Sequence, residues 1–346
     1  MTPSVYHYRG DFPLEHGDTL REVDIAYHTF GRLNEARDNV VWVCHALTAN
    51  SDVEDWWPGT VAEDGFLNPD RYFIVCANIL GSCYGTTGPL SVNPLTGHPF
   101  YGDFPRLTMR DVVNAHRLLA RHLGIDGIYG LAGASVGGFQ ALEWAAMEPE
   151  RFSRIALIAT APKASPWTIA IDETQRMAIR ADQTFGLPLA DAGAAGMGAA
   201  RALGLLTYRG PEGYNLTQQD HEDADCVLPG LPAGHRACTY QQHQGDKLIR
   251  RFNAYSYMTI LDTFDTHDIG RDRGGVERAL AGIGRQAKVL IVGVSTDLVF
   301  TPPEMRELSR MIPRSVYEEI TSPLGHDGFL VEYRQLNAIL IPFFTN

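Results

Sequence analysis

The chain of 346 residues has no apolar run approaching the roughly 20 residues that a membrane-spanning helix needs, so a transmembrane anchor is not expected. Its start, Met1-Thr2-Pro3-Ser4-Val5-Tyr6-His7, has neither a basic leader nor an apolar stretch, so no export signal is visible. Cysteine is scarce: five residues, at 44, 76, 83, 226 and 238, are an odd number at irregular spacing. That pattern excludes a disulfide framework and suits a reducing cytoplasm. No Cys/His cluster has zinc spacing, and no metal is expected. Basic residues are outnumbered, 29 against 41 acidic, for a net charge of −12. Nucleic acid is an unfavoured partner, because binding phosphates requires a basic face. A small anionic substrate stays open, since one pocket can be positive on an acidic protein. Repeats and low-complexity tracts are also missing. The apolar fraction of 45% and charged fraction of 20% are those of an ordinary globular protein, long enough for one large domain with an insertion.

What is present begins with Gly133-Ala134-Ser135-Val136-Gly137, the G-x-S-x-G pattern of a nucleophile elbow. Small residues crowd such a turn because larger ones would collide with the strand before it or the helix after it. The preceding Ile128-Tyr129-Gly130-Leu131-Ala132 reads as a buried parallel strand. The following run, from Gly137 through Phe139, Leu142, Ala145 and Ala146, reads as a helix that Pro149 stops.

A serine nucleophile needs a base, and the base an orienting acid. Behind an elbow of this kind the acid comes first and the histidine last, each in a loop beyond a strand. Val289–Val294 is an apolar strand with Asp297 three residues past its end. Val316–Ile320 is another short strand, followed by Pro323-Leu324-Gly325-His326-Asp327-Gly328. His326 is therefore the candidate base and Asp297 its orienter. Asp327 competes for the second role, but a residue adjacent in sequence is poorly placed to reach the inner ring nitrogen. His116 and His122 fall in a helical pattern and read as structural. His45 ends the apolar run Val40–Cys44 and is assigned to the oxyanion-hole loop, because it precedes the serine.

Strands are expected at Val23–His28, Val40–Cys44, Tyr72–Ala77, Ile128–Ala132 and Ile155–Thr160, with a helix over Met109–Leu123 capped by Thr108 and Asp111. This alternation implies an α/β fold: a mostly parallel sheet with helices on both faces. From about Pro162 to Ile283 the pattern turns helical with no buried strand. The 162 residues separating Ser135 from Asp297 exceed what one crossover needs. The expected division is a core of residues 1–162 and 284–346, with residues 163–283 inserted as a helical lid. Such helices could hold substrate, shield the sheet or form a dimer surface.

With these residues in view the sequence closely resembles the homoserine O-acetyltransferase family, acyltransferases of methionine biosynthesis with the α/β-hydrolase fold. The resemblance runs over nearly the whole chain. It is carried by His45-Ala46-Leu47-Thr48, Gly85-Thr86-Thr87-Gly88-Pro89, Gly133–Gly138 with Gln140-Ala141-Leu142-Glu143-Trp144, Ala200-Arg201 leading to Leu205–Arg209, Arg251–Tyr257 and Gly325-His326-Asp327. It implies that Ser135 is acylated, that His326 and Asp297 complete a triad, and that the N–H groups of Leu47 and Val136 form the oxyanion hole. It further implies Arg201 for the acceptor's carboxylate, Asp327 for its ammonium, and Tyr208 lining the same pocket. One cation and one anion suit a zwitterion, and a guanidinium suits a carboxylate. Acetyl-CoA and L-homoserine would be the substrates of a cytoplasmic homodimer without a resident cofactor. Departures from the family pattern fall at Ala134, at Asp182-Gln183 where Asp-Pro is usual, and in Tyr240–Gly245; they touch acyl specificity and assembly. The alternatives are a succinyl donor, a serine acceptor, ester hydrolysis, or a non-catalytic binding protein of the same fold.

Overall fold

The computed structural model describes residues 1–220 and 235–345. Cys226 lies outside the described residues; Cys44, Cys76, Cys83 and Cys238 are free thiols. The sheet is built on Val40-Val41-Trp42-Val43-Cys44, whose side chains are all buried. A run that is apolar at every position can be satisfied only with both faces covered. The eight strands are β1 (Ser4–Tyr8), β2 (Val23–Phe30), β3 (Val40–Cys44), β4 (Phe73–Ala77), β5 (Ile128–Ala134), β6 (Phe152–Ile158), β7 (Lys288–Val294) and β8 (Val316–Ile320). They lie in the order β1-β2-β4-β3-β5-β6-β7-β8. The β1–β2 and β2–β4 pairs are antiparallel and all later pairs parallel.

Register sets the position of the site. Cys44 pairs with Gly133, Ala134 with Ile158, Ile158 with Val292, and Ile320 with Val294. The carboxyl ends of β3, β5, β6, β7 and β8 therefore form one edge, where ligands bind in open parallel sheets. One face packs helix α1 (Met109–His122) and α2 (Val136–Met147) through Val112, Leu119, Phe139 and Trp144. The other is covered by the C-terminal helix, with Leu336, Leu340 and Phe344 buried against Val41, Ile74 and Ala132. Thr108 caps α1 in a capping box with Asp111, the pair read from the sequence.

Some boundaries differ from expectation for physical reasons. Strand β1 was not anticipated: it is an edge strand, exposed or half-buried throughout, and carries no run of core residues. Strand β6 stops at Ile158, before the expected Thr160, because Ala159 turns into positive φ (44°). The lid boundary at 283/284 cuts through a helix, α7 (Val276–Gln286), and needs correction. Ala279, Leu280 and Ile283 form its apolar face and join the main core with Phe139 and Leu142, so α7 belongs to the sheet layer.

Before α7 come α3 (Pro166–Arg180), α4 (Ala194–Thr217), α5 (Arg236–Ile249) and α6 (Ala254–Asp265). These helices share a separate core of Ile179, Met197, Leu248, Tyr257 and Leu261. Helix α4 is two segments joined at a kink, where Gly210 takes φ 63° and Pro211 offers no N–H to the turn before it. No helix among the described residues is long and apolar enough to cross a membrane.

Candidate active site

Ser135 is the first residue after β5 and sits at φ 56°, ψ −124°, outside the ordinary regions for an L-residue. Its N–H donates to the Ile158 carbonyl at 3.0 Å, and its carbonyl accepts from Thr160 Oγ1 at 2.9 Å. The glycines on either side make this turn possible. A Cβ on Gly137 would lie 2.0 Å from the Cys44 carbonyl oxygen, and one on Gly133 would lie 2.2 Å from that of Gly137. Both obstacles are backbone and cannot yield, so the small residues of the motif are a packing requirement as much as a chemical one.

His326 Nε2 is 2.9 Å from Ser135 Oγ, and His326 Nδ1 is 2.7 Å from Asp297 Oδ2. The carboxylate fixes the tautomer: Nδ1 carries the proton, leaving Nε2 free to accept from the serine hydroxyl. Asp297 is itself held, its Oδ1 accepting the N–H groups of Val299 (2.7 Å) and Phe300 (3.0 Å). Thr296 ties the two loops together by donating to the Ser322 carbonyl at 2.7 Å and accepting the Gly325 N–H at 3.0 Å. All three side chains are buried. Burial disfavours an imidazolium at His326, but the Asp297 carboxylate outweighs it, with help from Asp327, and the pKa is raised.

Leu47 and Val136 line the pocket over Ser135. Among the described residues no acceptor engages either N–H, as a pair waiting for an oxyanion requires. The Leu47 loop is pinned from below. Gln140 Nε2 donates to the His45 carbonyl at 3.0 Å, and Gln140 Oε1 meets His116 Nε2 at 2.8 Å. His45 Nδ1 donates to the Ala46 carbonyl (2.9 Å), and its Nε2 accepts the Ile79 N–H (3.1 Å). Burial pushes both imidazoles down to about 4, so they are neutral structural groups.

The pocket encloses about 410 Å³ and brings Ser135 and His326 together with Arg201, Tyr208 and Asp327. The Arg201 guanidinium lies 5.7 Å from the Tyr208 ring centroid and has no ion-pair partner among the described residues. Asp327 accepts Arg209 Nε at 3.0 Å, a partner the sequence reading left without a role. Sequence reasoning also passed over Asp172 and Lys247 of the same pocket, and gave Arg251, in a quoted block, no role. Arg209 adjoins Tyr208 within a quoted block, a signal that could have found it. An aspartate inside an amphipathic helix offers no such signal.

Residues 39–333 match the model of the α/β-hydrolase-fold family. The homoserine O-acetyltransferase of Cyclobacterium marinum is 44% identical over 99% of this chain and 95% of its own length. That of Chlorobaculum tepidum is 42% identical over 95% and 91%. Among solved structures, the Staphylococcus aureus homoserine O-acetyltransferase superposes with a TM-score of 0.80 at 28% identity, covering 100% of this chain and 95% of the other. Esterase E22 superposes with a TM-score of 0.87 over 99% of both chains, a likeness of fold at 22% identity. The chain belongs to the homoserine O-acetyltransferase family.

Proposed function

We propose that this protein transfers acetyl from acetyl-CoA to the hydroxyl of L-homoserine through an acyl-serine intermediate. The observation that carries this reading is the pairing, in one pocket, of the Ser135–His326–Asp297 chain with an uncommitted guanidinium and a carboxylate. A simple ester needs no such pair, whereas an amino acid does. The relatives' names point to the same acceptor and donor.

In the first half-reaction Ser135 Oγ attacks the thioester carbonyl while His326 Nε2 takes its proton. The N–H groups of Leu47 and Val136 receive the oxyanion, and the C–S bond breaks as the imidazolium returns the proton to the departing thiolate. Losing one such donor typically costs about 2.7–4 kcal/mol of transition-state stabilisation. In the second half-reaction the acceptor hydroxyl gives its proton to His326 and attacks the acyl-serine, and Ser135 leaves with the proton restored. Arg201 would hold the α-carboxylate and Asp327 the ammonium. No resident cofactor is needed, since acetyl-CoA is a co-substrate. A cytoplasmic homodimer fits this reading, with exposed Trp167, Met177, Leu206 and Leu216 on lid helices α3 and α4 offering apolar surface to a second copy.

Steady-state turnover of acetyl-CoA and succinyl-CoA, each with L-homoserine, L-serine or water as acceptor, tests the proposal. Acetyl-CoA with L-homoserine should have the highest kcat/KM; dominance of any other combination defeats it. Arg201→Met should lower kcat/KM for the amino acid by roughly 10- to 150-fold, the range of a charged hydrogen bond. Arg201→Lys should restore little, because an ammonium cannot offer two parallel N–H donors. An Arg201→Met enzyme with unchanged acceptor kinetics would remove this residue from the site.

A further inference from the structure

Asp172, on α3, lines the same pocket as Ser135, Arg201 and Asp327. It is 5% exposed. Its Oδ1 accepts Gln175 Nε2 at 3.2 Å, while Oδ2 is buried and meets no N–H or hydroxyl donor. Its charged neighbourhood includes another carboxyl, that of Asp265 at the end of α6, whose Oδ1 is likewise buried without a hydrogen-bond partner. Arg176 anchors Asp265 through Nη2 at 2.6 Å and Glu173 through Nε at 2.7 Å, while its Nη1 lies 3.4 Å from Asp262 without a hydrogen bond. Neighbouring carboxylates repel, and a proton on one of them relieves that repulsion. Burial, reinforced by the Asp265 charge, holds Asp172 well above the usual carboxylate range and favours its protonated form.

The pocket wall thus contains a buried acid that forms no ion pair among the described residues. Asp327 is in the opposite condition, because Arg209 Nε already pairs with its Oδ2 at 3.0 Å. Asp172, Arg201, Tyr208 and Asp327 line one common pocket. We propose that Asp172 is a second recognition group for the ammonium of the amino-acid acceptor, sharing it with Asp327 while Arg201 takes the carboxylate. This rests on the acceptor being an amino acid, as argued above.

An arriving ammonium supplies the positive charge that ionised Asp172 lacks. The O–H bond of Asp172 breaks, its proton leaves to solvent, and an ammonium N–H donates to Oδ2. One proton is released per acceptor bound. Acidic solution opposes that release, so acceptor affinity falls as pH falls. The groups around Asp172 are Gln175 and Arg176 on its own helix, Tyr257, Asp262 and Asp265 on α6, Arg201 and Tyr208 on α4, and His326 and Asp327 across the pocket. His326 also titrates on the acid side, but both half-reactions need it. In ping-pong kinetics its limb appears in kcat/KM for acetyl-CoA and for the acceptor alike; the Asp172 limb appears in the acceptor's alone.

The test is Asp172→Asn, which keeps the shape of the side chain but cannot ionise. With L-homoserine, kcat/KM should fall about tenfold or more, as for a lost charged hydrogen bond. With 4-hydroxybutanoate, which lacks the ammonium, it should fall far less, and the acceptor-specific acid limb should vanish. Asp265→Asn leaves Asp172 able to ionise and should keep the discrimination between the two acceptors. Equal losses with both acceptors in Asp172→Asn, wild-type kinetics with L-homoserine, or lost discrimination in Asp265→Asn would overturn the assignment. A wild-type enzyme that acetylates no amino alcohol ends the functional reading and this assignment together. One that does, matched by Asp172→Asn, ends this assignment alone.

Discussion

Ser135→Ala should lower kcat by roughly 10⁶-fold, the scale of losing a serine nucleophile from an intact triad. Removing Oγ leaves the rest of the site standing. His326 keeps its 2.7 Å bond to Asp297, and the Leu47 loop keeps its Gln140 and His45 anchors. The variant should therefore fold and still bind both substrates while releasing no CoA. Rapid mixing of wild-type enzyme with acetyl-CoA alone should give a burst of free thiol, and mass spectrometry should place acetyl on the peptide containing residue 135. Both signals should be absent from Ser135→Ala. Acetyl found on another side chain, or CoA release surviving in the variant, would show that the geometry at the elbow is not the chemistry.

Asp297→Asn should lower kcat by about 10⁴-fold at neutral pH. An amide in place of Oδ2 can present an N–H to His326 Nδ1, which favours the tautomer with its proton on Nε2, the wrong atom for a base. The pH profile gives an independent reading. His326 must be neutral to act, and Asp297 holds its pKa above the ordinary value against the opposing effect of burial. Wild-type activity should fall as pH drops through that raised value. Without the carboxylate, burial remains, so the acid limb of the residual activity should move to lower pH. A limb that stays in place would assign the titration to another group.

Both expectations concern residues that were legible in the chain, for a specific reason. Ser135 and Asp297 each follow a buried apolar strand and His326 follows the short strand Val316–Ile320, and the parallel pairing of those strands brings their carboxyl ends to one edge. Sequence order and strand register together place the three side chains. Strand β1 was not legible, because a half-exposed edge strand need not be apolar at any position. The limit of the lid was misjudged at α7, since helical periodicity says a helix is amphipathic without saying which core it faces. Asp172 was invisible for the converse reason. An acidic residue at helical spacing reads as solvated, and only the fold reveals that α6 and the pocket close over it. Arg209 was visible as a residue but not as a partner, because its contact to Asp327 spans 118 positions.

The left-handed backbone at Ser135 has a further consequence, for anyone who would make this enzyme more robust. A non-glycine residue held at φ 56° costs on the order of 1–3 kcal/mol of folding free energy. Glycine at this position would relieve that strain and erase the nucleophile in the same change. A library screened only for heat tolerance is therefore expected to enrich glycine at position 135 and yield sturdy, inert proteins. Durability and turnover compete here at a single codon, so any selection scheme must score both at once.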